Sequence, residues 1–102
     1  TAENLARNLP QLAELRAVAE ELEVSTGQLA LAWLRAKGDD ILPIPGTRSV
    51  AHMRENLAAE ALRLAPATVT RLDAVLSPDR VAGERYGTGL QAEIDTEAFN
   101  LA

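Results

Sequence analysis

The chain has 102 residues, of which 47% are hydrophobic and 25% are charged, and this balance excludes an intrinsically disordered or membrane-embedded class. Its formal net charge of −5 excludes general affinity for nucleic acid or anionic lipid, because both are bound mainly through an excess of Lys and Arg. The lack of cysteine excludes a disulfide framework and a thiolate nucleophile or metal site, and it favours the cytosol. We therefore expect a cytoplasmic protein with neither a membrane nor nucleic acid as a partner.

The beginning of the chain carries its own information. Thr1 is not an initiator methionine, and the first ten residues resemble neither a targeting sequence nor a tag. We therefore expect the chain to begin within a longer protein.

Two helices are predicted in the first part of the chain, and the first of them is amphipathic. Apolar residues recur at spacings of three and four from about Leu9 to Glu23, which indicates a helix with one apolar stripe. Ser25 and Gln28 have the spacing of a capping box, so a second helix should start at Thr26 and run to about Lys37. This second helix carries Leu, Ala and Trp around most of its circumference, and it should be buried on more than one side.

The segment from Leu15 to Leu34 also has the outline of a DNA-binding helix-turn-helix. A recognition helix needs Arg, Lys, Asn or Gln side chains facing the groove, whereas the second helix presents Leu, Ala and Trp. Together with the negative net charge, this argues against DNA binding.

The centre of the chain is predicted to be a strand, a tight turn and a helix start. The strand, Ile41 to Ile44, is apolar almost without alternation, as in a strand covered on both faces in a parallel sheet. The sequence contains no second convincing strand to pair with it, so we expect the last repeats of a longer α/β protein whose other strands lie outside this chain. A free-standing helical domain with one extended linker is the alternative.

The turn after this strand is a candidate anion site. Gly46 allows close backbone approach, Thr47 adds a hydroxyl donor, and Ser49 is the expected N-cap of a third helix. The first turn of that helix carries no Asp or Glu and is surrounded by Arg48, His52 and Arg54. An anion would therefore relieve both the like-charge repulsion and the unsatisfied N–H groups. A purely structural strand-to-helix turn is the alternative.

The remaining elements are predicted to be helical. The third helix should run to about Leu62, and a fourth should begin with Pro66, whose missing N–H is harmless at a first helical position. The tail shows no clear period before a weakly helical patch from about Leu90 to Phe99. Tyr86 in this tail could donate a proton, but no nucleophile constellation and no metal motif stands out.

The segment LALAWLRAKGDDILPIPGTRSVAHMRENLAA resembles the C-terminal signature region of the aldo-keto reductases, and VSTGQLALAWL resembles that family's seventh barrel helix. The similarity runs from about Leu5 to Leu76. The resemblance implies an α/β protein, a (β/α)8 TIM barrel that reduces aldehydes or ketones with NADPH. Residues 1–102 would be the C-terminal segment of this single barrel domain, mainly α-helical in itself with one short strand.

The resemblance also implies how the central turn binds the phosphates of the cofactor. Gly46 and Thr47 would line the adenosine phosphate, and Arg48 would pair with the 2′-phosphate, which favours NADPH over NADH. His52 stands where the family usually has a basic or polar residue beside the adenine ribose phosphate.

Glu55 and Asn56 would hold the adenine edge, although an exposed Glu-Asn pair on a helix is usually just solvated. The family's catalytic Asp, Tyr, Lys and His lie in earlier barrel strands, and neither Tyr86 nor His52 lies at a matching position. We therefore predict no catalytic residue and no reductase activity in this chain alone. It would need the remainder of the barrel to act on a small-molecule carbonyl substrate. A non-catalytic helical interaction module, or a nucleotide-binding subunit of the same fold, is the alternative.

Overall fold

The computed structural model describes residues 1–84 and 86–93, which form five α-helices and two short 3₁₀ turns. The α-helices are α1 (Ala2–Glu21), α2 (Thr26–Ala36), α3 (Val50–Ala58), α4 (Pro66–Val75) and α5 (Thr88–Gln91), and the 3₁₀ turns are Ala59–Ala61 and Pro78–Arg80. Helices α1, α2 and α4 pack on one another, while α3 and the 3₁₀ turn that follows it pack on α2. Within the described residues no helix combines the length and the apolar surface that crossing a membrane requires.

Helix α1 starts at Ala2, earlier than the predicted start near Leu9. Its N-cap is Thr1, whose hydroxyl accepts the N–H of Asn4 at 3.2 Å, and the helix continues through Pro10. Proline lacks the N–H for one intrahelical hydrogen bond, which makes it a frequent marker of a helix start in sequence. The early start reflects both this cap and the contacts of the first turns with the C-terminal part of the chain, which a local pattern does not report.

The junction between α1 and α2 is built from backbone hydrogen bonds. Val24 N–H bonds the carbonyl of Ala19 at 3.0 Å, and Glu23 N–H bonds the carbonyl of Glu20 at 3.1 Å, which together form a Schellman motif. Glu23 occupies the left-handed position of this motif with φ of 55°. Ser25 follows immediately as the N-cap of α2, so the chain reverses within a few residues.

The hydrophobic core lies where α1, α2 and α4 meet. Its largest fully buried side chains are Leu29, Leu72 and Val18, and burying each of these three contributes roughly 1.5–3 kcal/mol relative to exposure in water. The buried cluster comprises Val18, Ala19, Leu29 and Leu72, with Leu15, Val24, Trp33 and Leu64 packed against it. Because α2 contacts α1, α3, α4 and the 3₁₀ turn after α3, the prediction that α2 is buried on more than one side is confirmed.

The strand predicted from Ile41 to Ile44 is absent from the part of the chain that the structure describes. These residues follow a path without regular secondary structure, and Leu42 and Ile44 leave 85% and 90% of their surface exposed. A strand needs a neighbouring backbone to complete its hydrogen bonds. In addition, Pro43 has no backbone N–H and cannot donate such a hydrogen bond. The prediction of a mainly helical chain is confirmed, whereas the parent barrel stays a prediction.

The chain beyond α4 runs along α1, and the described residues end shortly after α5. The 3₁₀ turn Pro78–Arg80 leads into Ala82, which is buried. The predicted helical patch from about Leu90 to Phe99 lies largely outside the described residues.

Candidate functional site

The turn that precedes α3 is organised by two hydroxyl groups. Thr47 Oγ1 accepts the N–H of Ser49 at 3.1 Å and donates to the Ser49 carbonyl at 3.2 Å. Ser49 Oγ accepts the N–H of His52 at 3.3 Å, which confirms Ser49 as the N-cap of α3. These hydrogen bonds fix the backbone conformation at the start of α3.

The start of α3 is flanked by one arginine and one histidine. The first turn of α3 contains no acidic residue, and Arg48 and His52 are both exposed. Neither side chain forms a hydrogen bond or an ion pair with another residue among those described. Both side chains are therefore available to an anion at the end of the helix that carries the positive pole of the dipole.

An open groove of about 690 Å³ separates α2, the segment before α3, and α3 itself. This volume is in the usual range for small-molecule sites. A Cβ added at Gly46 would meet nothing within 4 Å, so the backbone at this glycine can be approached closely. The groove is lined by Leu31, Arg35, Leu42, Pro43, Pro45, Gly46, Thr47, Met53, Asn56, Leu57, Ala59 and Glu60.

Glu55 is half-buried and faces the start of α2. Its carboxylate accepts a hydrogen bond from the hydroxyl of Ser25, and its backbone carbonyl accepts one from Gln28 Nε2 at 3.1 Å. The capping box of Ser25 and Gln28 is confirmed, but its contact with Glu55 was not predicted. The Ser-x-x-Gln spacing indicates the cap, whereas no local pattern indicates which residue of another helix the same side chains will reach.

Arg35 is a further residue that the sequence reasoning missed. It lines the groove, and its Nη1 donates to the carbonyl of Glu60 at 2.7 Å in the 3₁₀ turn after α3. The sequence indicates this role of Arg35 only in that Arg35 is one of the few polar residues of α2. Arg35 joins α2 to the end of α3 beside the groove.

The six predicted site residues therefore lie in three different surroundings. Three of them line the groove, two are exposed at the start of α3, and one is held by α2. These groups are Gly46, Thr47 and Asn56; Arg48 and His52; and Glu55. In the part of the chain that the structure describes, no group of three or more His, Cys, Asp or Glu residues could hold a metal ion.

The carboxyl groups with shifted pKa values are remote from this turn. Hydrogen bonds from Arg80 and Arg71 lower the pKa values of Glu14 and Glu21 on α1. A hydrogen bond from Lys37, and then one from Trp33, lowers the pKa of Asp73 on α4. These hydrogen bonds join different helices and turns of the scaffold, and three of them are also ion pairs.

One known protein family matches most of the chain. The model of the Aldo/keto reductase family matches residues 1–77, which is well over half of the sequence. The chain belongs to the aldo/keto reductase family. No solved structure gives a significant match.

Three curated relatives illustrate the similarity. The aldo-keto reductase yakc [NADP(+)] of Schizosaccharomyces pombe is 40% identical over 90% of this chain and 27% of the relative. Probable aldo-keto reductase 1 of Glycine max is 34% identical over 87% of this chain and 26% of the relative. Pyridoxine 4-dehydrogenase of Escherichia coli is 48% identical over 64% of this chain and 23% of the relative. The chain thus spans about a quarter of the length of the curated relatives it matches.

Proposed function

We propose that residues 1–102 are the C-terminal, cofactor-binding segment of an NADPH-dependent oxidoreductase that reduces aldehydes or ketones. Membership of the aldo/keto reductase family supports this proposal, as does the NADP(+) in the name of the Schizosaccharomyces pombe relative. The observation that carries it is the start of α3, which lacks acidic residues and has two exposed basic or titratable side chains, Arg48 and His52.

The phosphates of NADPH are proposed to bind at this helix start. Arg48 pairs with the 2′-phosphate, and His52 lies beside the phosphorylated ribose. Gly46 and Thr47 line the adenosine phosphate, where the bare glycine leaves room for close approach. A charge-assisted hydrogen bond between a guanidinium and a phosphate is stronger than a neutral one, so Arg48 distinguishes NADPH from NADH.

The adenine ring is proposed to bind along α3. Asn56 lines the groove, and Glu55 lies next to it in sequence on the side facing α2. A carboxylate accepts hydrogen bonds only, while an amide both donates and accepts, so this pair can match the edge of adenine.

The remainder of the barrel is proposed to cover the apolar side of this region. Leu42 and Ile44 are almost fully exposed, and Val50 and Leu57 each expose 64% of their surface. Leu42 and Leu57 also line the same groove, and exposed apolar patches are typical of a surface that another part of a protein covers. Neighbouring strands would supply both the cover and the hydrogen bonds that residues 41–44 need to become a strand. They would also bring the catalytic Asp, Tyr, Lys and His and the carbonyl substrate.

Calorimetric titration of NADPH and NADH tests this proposal. It is carried out on the full-length protein, meaning the natural polypeptide that contains these residues, and on its Arg48→Ala variant. Loss of one charge-assisted contact costs about 1.5–3 kcal/mol, so the preference for NADPH should fall by roughly ten- to a hundredfold. Arg16→Ala, which removes the same charge from an exposed position of α1, is the matched control and should keep the preference.

The outcomes separate the parts of the proposal. An unchanged preference in Arg48→Ala overturns the assignment of Arg48. Failure of the full-length protein to bind either nucleotide overturns the cofactor role and favours a helical interaction module. NADPH binding without any carbonyl reduction favours a nucleotide-binding subunit. Steady aldehyde reduction by the 102-residue polypeptide alone would show that the remainder of the barrel is not required.

A further inference from the structure

The two residues that cap α2 also contact α3. Ser25 Oγ accepts the N–H of Gln28 at 3.1 Å, and the same hydroxyl donates its proton to Oε1 of Glu55. The two helices are separated by a long loop, so this contact joins residues thirty positions apart. A hydroxyl can donate once while it accepts, and Ser25 uses both capacities here.

Gln28 has a matching double role. Its Oε1 accepts the N–H of Ser25 at 3.1 Å, and its Nε2 donates to the backbone carbonyl of Glu55 at 3.1 Å. That carbonyl lies in the last turn of α3, where helical carbonyl groups lack their usual partners. The N–H of Ala59, which would otherwise reach it, bonds the carbonyls of Asn56 and Leu57 instead. Gln28 thus supplies the missing donor to α3.

These contacts restrict both the side chain and the backbone of Glu55. An unrestrained Glu side chain loses rotamer entropy when it binds a ligand, and a side chain held in advance loses less. The hydroxyl of Ser25 restrains the carboxylate through Oε1, while Oε2 forms no hydrogen bond within residues 1–84 and 86–93. Because Gln28 holds the Glu55 carbonyl, it also restrains the peptide that leads to Asn56.

We propose that Ser25 and Gln28 are positioning residues that hold Glu55 and Asn56 for recognition of the amino group and ring nitrogen of adenine. The inference rests on the proposed function and adds that the start of α2 sets base selectivity. Oε2 of Glu55 accepts a hydrogen bond from the exocyclic amino group of adenine. A purine that carries a carbonyl in place of this amino group has no such donor and should bind less well. Phosphate selectivity is separate because it depends on Arg48.

The test compares NADPH with its deaminated analogue, in which hypoxanthine replaces adenine, by titration into the full-length protein. Ser25→Asp retains a good N-cap but cannot donate to Glu55 and repels its carboxylate. Gln28→Glu retains the capping box but loses the donor to the Glu55 carbonyl. Ser25→Thr keeps both functions of the hydroxyl and serves as the matched control. We expect roughly tenfold or greater discrimination in the wild type and Ser25→Thr, falling to within about threefold in the other two variants.

Two further measurements separate positioning from a loss of structure. The preference for NADPH over NADH should stay close to wild type in Ser25→Asp and Gln28→Glu. Each variant loses one hydrogen bond, so its Tm should fall by only a few degrees and its unfolding should stay cooperative. If Ser25→Asp does not fold, Ser25→Gly replaces it, because glycine is a tolerated N-cap and adds no charge. Loss of both nucleotide preferences together in these variants would indicate a structural role and overturn the inference.

The Glu55→Ala variant distinguishes failure of the inference from failure of the proposed function. If Glu55→Ala loses the discrimination while Ser25→Asp and Gln28→Glu keep it, the positioning role is wrong and the proposed function stands. Equal binding of the two nucleotides by the wild type also overturns the positioning role. If the wild type binds no NADPH, the proposed function itself fails.

Discussion

Asn8 and Ala82 form a reciprocal pair of hydrogen bonds between a side chain and the backbone. Asn8 Nδ2 donates to the carbonyl of Ala82 at 3.0 Å, and the N–H of Ala82 donates to Asn8 Oδ1 at 2.7 Å. Gln11 Nε2 donates to the carbonyl of Arg80, whose guanidinium bonds Glu14 at 2.6 Å. Successive turns of α1 therefore hold the chain beyond α4.

Replacing Asn8 by Asp should weaken the attachment of the chain beyond α4 to α1. The carboxylate cannot donate to the Ala82 carbonyl and places a negative charge beside it, so we expect a loss of about 1–2 kcal/mol in the free energy of unfolding. Urea denaturation of the full-length protein measures this loss, and hydrogen exchange at the Ala82 amide reports it locally. Asn4→Asp makes the same charge change one turn earlier, where no side-chain hydrogen bond is lost among the described residues, and should change neither value appreciably.

Gly83 should not tolerate a side chain. It has φ of 89°, in the region that disfavours L-residues, and an added Cβ would press on the side chain of Asn4. We expect Gly83→Ala to lower the free energy of unfolding by about 1–2 kcal/mol, measured by urea denaturation. Gly87→Ala places a methyl group in open space and is the control. Equal stability of the two variants would show that the turn at Gly83 relaxes without cost.

Replacing Glu23 by glycine should stabilise the protein. It occupies the left-handed position of the Schellman motif, where a Cβ is unfavourable, and its φ is 55°. We expect Glu23→Gly to raise the free energy of unfolding by about 1 kcal/mol. Glu23→Ala keeps the Cβ and removes only the carboxylate, so it should differ little from the wild type. A stabilisation by alanine as large as that by glycine would assign the effect to charge.

Acid should weaken the link between α2 and α4. Lys37 and Trp33 donate to the carboxylate of Asp73, the latter at 2.8 Å, and both hydrogen bonds lower the pKa of that carboxyl. A carboxyl with a lower pKa in the folded state stabilises the fold above its unfolded pKa, and it loses this contribution as the pH falls through the folded value. The free energy of unfolding should therefore decrease below about pH 4.

Denaturation of wild type and Asp73→Asn between pH 7 and pH 3 isolates this contribution. The variant should be less stable at pH 7 and should lose less stability on acidification, so that the two curves converge. Asp39→Asn has no hydrogen bond to lose among the described residues and should run parallel to the wild type. Parallel curves for Asp73→Asn would show that the ion pair contributes nothing to stability.

Local chemistry made several elements predictable. The Ser-x-x-Gln box, the Ser49 cap and Pro66 at the start of α4 all depend on residues within one helical turn of each other, and each is confirmed. The predicted start of α1 near Leu9 was wrong because the helix begins at the Thr1 cap and its first turns contact the distant Ala82. The residues of a helix cap are close together in the sequence and can be recognised there. The contacts between helices that are far apart in the sequence depend on the tertiary packing.

Periodicity, caps and motifs are local properties, so the helical character of this chain, its family and the residues of the IPGT turn can be read without a structure. Which of those residues share a groove, and which side chains hold Glu55, depends on the packing of α2 against α3, because this packing brings Ser25 and Gln28 to Glu55. Residues 41–44 show the same division. Their apolar sequence is suited to a strand, but backbone hydrogen bonding requires a neighbouring strand, and none lies within the described residues.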